Sequence, residues 1–166
     1  MKVETYKIKG WKNLETGLLI DENAKWILVK HISGDYLVDG YKVYNKNTVL
    51  KRMHKKDEKL KEKVLSLKKV EAKKPKGFKF GSMKTMLEWS EKKYGLFEFQ
   101  DFEEEVLFYG KIKKIDKELM RIHMIEPNGK LKKNFDYDFS LKDIQALVFE
   151  SDYFNSIRLL MQDKKK

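Results

Sequence analysis

The chain has 166 residues, of which 41% are hydrophobic and 38% charged, with 10 Phe, 8 Tyr and 3 Trp. That length suits one domain or two very small ones, the aromatic content excludes a disordered chain, and the absence of cysteine excludes disulfides and thiolate metal sites. The net charge is +11, and no run approaches the roughly 18 uncharged apolar residues needed to span a bilayer.

The N-terminal residues MKVETYKIKGWKN are broken throughout by charge, so they carry no apolar leader core. With the missing cysteines, this places the expected protein in the cytoplasm without membrane insertion. Residues 1–52 read as strands and turns. Leu18-Leu-Ile20 runs into the turn-rich Asp21-Glu-Asn-Ala24. Trp26 to Ile32 follows, rich in β-branched and aromatic residues. Gly34-Asp35 and Asp39-Gly40 punctuate the chain, and Asp-Gly is a turn or bulge signal. Tyr41 and Val43 then alternate with Lys42 and Tyr44.

From residue 53 the period changes. Met53, Leu60, Val64, Leu67 and Val70 or Glu71 recur at three-to-four spacing, which predicts one apolar stripe on a charged helix. Lys73-Lys-Pro75-Lys-Gly77 ends that helix, because the residue before proline avoids the helical region. Gly77-Phe-Lys-Phe-Gly81 reads as a loop. Ser82 is the expected N-cap of a second helix reaching Tyr94, with Gly95 as its stop and Met83, Met86, Leu87 and Tyr94 facing inward.

Strand patterns return at residue 96. Leu96-Phe-Glu-Phe99 alternates, Val106 to Tyr109 is sheet-like, and Met120, Ile122 and Met124 share one strand face. Glu126-Pro-Asn-Gly129 is a tight-turn sequence. Phe135, Tyr137 and Phe139 alternate with Asp136, Asp138 and Ser140, predicting a half-buried strand. Leu141 to Phe149 closes the second set of strands. Asp152 to Met161 reads as a terminal helix, and Lys164, Lys165 and Lys166 as a frayed tail.

The two strand-rich stretches repeat one order of elements. Gly17-Leu-Leu-Ile and Asp21, then Trp26-Ile-Leu-Val29, then Tyr41-Lys-Val43 and Asn47-Thr-Val49, are matched by Gly110-Lys-Ile112 and Asp116, then Leu119-Met-Arg-Ile122, then Phe135 to Phe139 and Lys142-Asp-Ile144. Internal repetition fixes architecture before any single motif does. Two units of about fifty residues with roughly five short strands each predict small barrels. The expected class is mainly β (α+β). Residues 1–52 form the first unit, 53–94 a basic helical connector, and 95–166 the second unit with its C-terminal helix.

At these residues the chain resembles the Sm-like group of SH3-type barrels. The likeness lies in Thr16-Gly17-Leu18 through Asp21 with Trp26 to Val29, and in Val106 to Ile112 through Asp116 with Leu119 to Ile122. It also resembles bacterial proteins of unassigned function that pair a W-I-L-V strand with a following D-G-Y-K-V, here Trp26 to Val29 and Asp39 to Val43. The resemblance implies two Sm-like barrels in tandem. In that family an Asp and an Asn on the first hairpin loop, with a later Arg-Gly pair, hold RNA. Asp21 and Asp116 match the aspartate, but the asparagine position falls near Lys25 and Met120, and no Arg-Gly pair exists in the chain. The resemblance therefore implies the fold and not the family's RNA pocket.

The charge is unevenly spread. Residues 51–84 hold 14 Lys or Arg against 4 Asp or Glu, so nearly the whole surplus sits between the two units. Only Arg52, Arg121 and Arg158 are arginine, and lysine lacks the planar fork that reads bases bidentately. The expectation is charge-driven phosphate contact rather than sequence readout. Lys73, Lys74, Lys76 and Lys79 have no acidic neighbour in the chain, and with Lys55 and Lys56 they are the candidate nucleic-acid contacts.

No catalytic constellation can be assembled. His31, His54 and His123 show no HxxxH or HExxH spacing, so no metal is expected. His31 and His123 fall one position apart in register on comparable strands and read as ordinary strand residues. Asp136 and Asp138 read as the solvated face of an edge strand. No P-loop, GxGxxG or GxSxG element is present, so neither a cofactor nor an enzyme activity is expected. Trp26, Tyr41, Trp89 and Phe135 read as core, while Trp11, between Gly10 and Lys12, is left open to a surface stacking role. The functional expectation is a non-enzymatic binding or adaptor module. Its partner is a protein or, alternatively, RNA or DNA held by the lysine-rich connector, with a homo-oligomer also open.

Overall fold

The computed structural model describes residues 1–163, so the lysine tail at 164–166 lies outside the described residues. Five strands come first: β1 (Val3–Ile8), β2 (Glu15–Glu22), β3 (Trp26–Ile32), β4 (Val38–Asn45) and β5 (Val49–Met53). Helices α1 (Lys56–Leu67) and α2 (Met83–Tyr94) follow. The chain then forms β6 (Phe97–Gln100), β7 (Phe108–Asp116), β8 (Leu119–Met124), β9 (Asp138–Ser140) and β10 (Ala146–Phe149), and ends in α3 (Asp152–Asp163). The fold is mainly β with three α-helices, as the composition and periodicities predict.

The ten strands form one antiparallel sheet in the order β5-β1-β2-β3-β4-β10-β6-β7-β8-β9. The sheet is not closed, and β5 and β9 are its edges. Strands one to five and six to ten follow the same order, with the fifth strand beside the first and the fourth at the far side. The likeness extends to register. Gly17 and Gly110 each precede a bulge by three residues, at Ile20 between Leu19 and Asp21, and at Lys113 between Ile112 and Lys114. A Cβ on Gly17 would stand 2.6 Å from the Val29 side chain, and one on Gly110 2.9 Å from the His123 carbonyl. Both glycines allow the second strand to approach the third. A single 3₁₀ turn joins the fourth strand to the fifth in both stretches, Lys46–Thr48 and Leu141–Asp143. Aligned on the glycines, Asp21 corresponds to Lys114 rather than to Asp116, because the bulge sets the spacing. His31 and His123 are one position out of step, since Gly17 faces His31 whereas Lys111, not Gly110, faces His123.

The two stretches join through β4 and β10, where Tyr41–Tyr44 pair with Phe149–Ala146. On one face of this joint Tyr41, Val43, Leu147, Phe149, Phe97 and Phe99 form the main core with Trp26 and Leu28. Helix α2 covers it with Met83, Met86, Leu87 and Tyr94, and α3 with Phe154 and Ile157. The loop before α2 adds Phe78, whose ring centroid lies 5.7 Å from that of Phe149. On the other face Tyr6, Ile8, Ile27, Val29 and Tyr44 pack with Ala146 and with Trp11.

Helix α2 forms as its caps require. Ser82 Oγ accepts the Thr85 N–H, and Gly95 ends the helix at φ 85°. Helix α1 departs from the expected reading in length and phase. It stops at Leu67, well before Pro75, through a Schellman closure. Lys69 is left-handed at φ 56°, its N–H bonds the Ser66 carbonyl, and the Val70 N–H reaches the Leu65 carbonyl. Leu65 is the buried apolar residue, packed with Val3, Leu18 and Ile32, whereas Leu60 and Leu67 of the predicted stripe are exposed. The helix docks by the one leucine that fills the end of the first set of strands. The strand expected over Phe135–Phe139 is regular only at Asp138–Ser140, and Tyr137 is exposed. Its alternation is satisfied by ring packing of Phe135 and Tyr137 on Phe139 instead of by a strand ladder.

Candidate anion-binding groove

The connector lysines fall in two groups along the chain: Lys55 and Lys56 stand at the start of α1, while Lys73, Lys74, Lys76 and Lys79 lie beyond its end. Lys55 gives its backbone N–H to Glu58. The segment after α1 is anchored through its backbone: Tyr41 Oη donates to the Lys73 carbonyl and Lys93 Nζ to the Lys76 carbonyl. Lys74 pairs with Asp21 on the hairpin between β2 and β3. This segment ends at Gly81, whose carbonyl accepts the Trp26 indole N–H at 2.7 Å.

That hydrogen bond brings the connector to a groove of about 600 Å³ across the joint. Lys25 and Trp26 enter from the first hairpin, and Asn45, Asn47 and Thr48 from the turn after β4. Lys117 and Glu118 come from the hairpin between β7 and β8, Leu141 and Lys142 from the turn after β9, and Ser82, Met83 and Lys84 from the start of α2. Equivalent loops of the two stretches therefore face each other across one concavity. Four lysines and one glutamate line it. Lys142 Nζ stands 4.0 Å from Glu118, and both side chains are largely exposed, so this pair is weak. Lys25 Nζ sits 5.0 Å over the Trp26 ring. The first turn of α2 has no acidic residue, so its N-terminal backbone N–H groups add positive potential.

Trp26 forms the groove wall with only 2% of its surface exposed. It is core, as predicted, and offers no face for base stacking. Trp11 is also buried, and its indole N–H donates to the Asp101 carbonyl at 2.9 Å. The stacking role left open for it is closed by that hydrogen bond.

A second polar cluster lies on the opposite face of the joint. Glu15 accepts from Lys42 Nζ at 2.7 Å and from Tyr44 Oη at 2.7 Å, with His31 Nε2 at 3.3 Å. Lys42 also reaches Gln100 Oε1 at 3.2 Å. Burial alone would raise the Glu15 carboxyl, but the His31 hydrogen bond and the Lys42 charge outweigh it and hold the group at about 2. Glu98 has the opposite fate. It faces Tyr109 across β6 and β7, and neither Glu98 Oε2 nor Tyr109 Oη has a hydrogen-bond partner among the described residues. Burial pushes the Glu98 carboxyl up to about 7, with the charge of Lys42 only partly opposing it. Glu15, Lys42, Tyr44, Glu98 and Tyr109 are all buried within the sheet.

His123 is exposed on β8, and Asp136 and Asp138 are both held by Arg121, at 3.2 and 2.7 Å. No group of three or more His, Asp or Glu residues is arranged to hold a metal among the described residues. No helix among them is long and apolar enough to cross a membrane. Sequence reasoning missed Lys25, Lys84, Lys117 and Lys142, because each lies in a different element. Their signal was positional: Lys25 and Lys117 sit on the same hairpin of the repeated pattern, and Lys142 on the turn that repeats Lys46–Thr48. Comparison with protein-family models, with curated proteins and with solved structures found no match.

Proposed function

We propose that this protein is a non-enzymatic, cytoplasmic binding module that holds single-stranded RNA or DNA by its phosphates in the groove across the joint. The observation that carries this reading is the convergence of Lys25, Lys84, Lys117 and Lys142 from four separate elements on one concavity with a single carboxylate. Four ammonium groups around one groove attract a flexible polyanion and release its counterions. Lysines make point-charge contacts, and the buried Trp26 gives no stacking platform, so affinity depends on charge with little base preference. Lys55, Lys56, Lys73, Lys74, Lys76 and Lys79 lie outside the groove lining, and Lys74 is already held by Asp21, so the proposed contacts are the four groove lysines.

The same proposal reads the chain as two Sm-like units in tandem. Shared strand order, the bulge three residues after Gly17 and Gly110, and the turn before each fifth strand support it. The test is fluorescence anisotropy with a labelled single strand over a salt series. Four lysine contacts correspond to a slope of log K against log salt of about −3. The combined Lys25→Glu, Lys84→Glu, Lys117→Glu and Lys142→Glu variant is expected to lose binding, and Lys55→Glu with Lys56→Glu to retain it. Equal binding by the quadruple variant would overturn the site.

A further inference from the structure

The second stretch carries an addition that the first lacks. Five residues, 33–37, join β3 to β4, whereas thirteen, 125–137, join β8 to β9. Irregular connections of that length are uncommon in a packed fold and are a usual place for binding sites. The added segment first folds back as a hairpin. Ile125 bridges Leu131, the Glu126 N–H bonds the Lys130 carbonyl, and the Lys132 N–H bonds the Met124 carbonyl at 2.8 Å. The chain then crosses to β9, with Asn134 in the left-handed region at φ 54°.

These turns enclose a pocket of about 610 Å³ against β7 and β8, which shares no lining residue with the groove across the joint. One wall is apolar, made by Met124, Leu131 and the edge of Phe135, and Leu131 leaves 56% of its surface open. The opposing groups are cationic: Lys113 from the bulge of β7, and Lys132 and Lys133 from the added segment, with His123 beside them. Lys132 Nζ stands 5.5 Å over the Phe135 ring, which holds that ammonium at the pocket. Lys113 and Lys133 make no ion pair among the described residues, and the Asn134 amide has no hydrogen-bond partner among them. The one carboxylate in the lining, Asp136, is held by Arg121 at 3.2 Å, and the same guanidinium holds Asp138. Three lysines and Arg121 against those two carboxylates leave two positive charges in surplus. Lys114 and Asp116, beside Arg121, cancel each other, as do Glu126 and Lys130 of the hairpin.

We propose that this pocket binds a nucleoside monophosphate, with the phosphate among Lys113, Lys132 and Lys133 and the base against Leu131 and Met124. The volume suits a small ligand. A base is a flat apolar body with a polar edge, and the Asn134 amide offers that edge both a donor and an acceptor. A free nucleotide and the phosphorylated end of a strand present this same group. Three point-charge contacts and one apolar wall hold a lone nucleotide weakly, so the pocket does not retain a strand by itself once the groove lysines are reversed.

The test uses the full-length protein, as wild type and as the four-lysine groove variant, so that failure of the pocket and failure of the groove show separately. AMP is titrated while the imidazole signals of the three histidines are followed by proton NMR, with His123 assigned through His123→Gln. In both proteins AMP is expected to shift the His123 signal to saturation and to leave those of His31 and His54 in place. Adenosine and inorganic phosphate, each carrying half of the ligand, are expected to bind more weakly. The combined Lys113→Glu, Lys132→Glu and Lys133→Glu variant, whose changes are all at exposed positions and whose fold is checked by circular dichroism, is expected to lose AMP binding, and Leu131→Asp to weaken it. On the groove variant, a 5′-phosphorylated tetranucleotide that binds more tightly than AMP assigns the pocket to strand ends, and AMP binding more tightly assigns it to free nucleotides. A His123 signal that AMP does not move overturns the proposal. So does wild-type AMP affinity in the three-lysine variant, or binding of inorganic phosphate or O-phosphotyrosine as tight as that of AMP.

Discussion

The two strand-rich stretches follow one path and are filled by different chemistry. In the first, Glu15 sits under Lys42, Tyr44 and His31 and is satisfied by all three. In the second, Glu98 is buried with an oxygen that has no partner among the described residues. The two carboxyls nonetheless belong to one neighbourhood, because Val148 of β10 pairs with Lys42 on one side and Glu98 on the other. The interiors differ too. The first stretch packs tyrosine and aliphatic side chains, Tyr6, Ile8, Ile27, Val29 and Tyr44. The second stacks phenylalanines, with Phe99, Phe108 and Phe139 in mutual ring contact. Strand order is set by turns, bulges and glycine spacing, while the filling of each unit is set by side chains free to diverge once the backbone path exists.

The sharpest contrast is at the start of the third strand. Trp26 and Leu119 hold equivalent register positions, opposite Asn45 and Ser140, yet Trp26 is 2% exposed and Leu119 50%. Trp26→Ala is expected to cost about 3–5 kcal/mol, and Leu119→Ala less than about 0.5 kcal/mol, both measured by denaturant unfolding. Equal losses at the two positions would show that the stretches are more alike in packing than their burial indicates.

Next in size is Glu15→Ala, which leaves the Lys42 ammonium buried without its carboxylate. A loss of about 3 kcal/mol is expected, whereas Asp138→Ala, which breaks an exposed pair with Arg121, should leave the midpoint almost unchanged. The same unfolding midpoints decide it.

The two carboxyls also predict opposite pH behaviour. Glu98 titrates at about 7 in the folded chain, against an ordinary value of 4.5. Between those values the native state keeps a proton that the unfolded chain has released, so stability falls as pH rises from 4.5 to about 7 and is flat above. Glu15, held at about 2, contributes stability that is fully present above 4.5 and is lost as pH falls toward 2. Glu98→Gln is expected to remove the decline on the neutral side, worth roughly 3 kcal/mol over the window, and to leave the acid-side loss in place. A variant whose stability still declines between 4.5 and 7 would assign that decline to another group.

Much of the path was legible in the residues. Ser82 and Gly95 mark the ends of α2 because capping is local chemistry, and the glycine-marked second strands show because only glycine allows the close approach to the third. Where the outcome depended on distant partners, the pattern misled. The apolar spacing from Met53 to Val70 has the right period for α1, but its buried phase is set by Leu65 meeting Val3, Leu18 and Ile32, which no local window contains. Phe135 and Tyr137 alternate like a strand yet serve as rings around Phe139. Trp11 reads as free because its partner, the Asp101 carbonyl, is 90 residues away. The groove lysines were hidden for the same reason. The dense lysine run of the connector drew attention by its composition, while Lys25, Lys84, Lys117 and Lys142 are single residues gathered only when β4 and β10 pair.

The contrast between connector and groove is settled most directly by titrating a labelled single-stranded RNA against the wild type, the four-lysine groove variant and the Lys55→Glu, Lys56→Glu variant over a common salt series. The expected result is a salt slope near −3 for the wild type and the α1 variant, with binding abolished in the groove variant. Wild-type affinity in the groove variant, or loss of binding when only Lys55 and Lys56 are reversed, would contradict it.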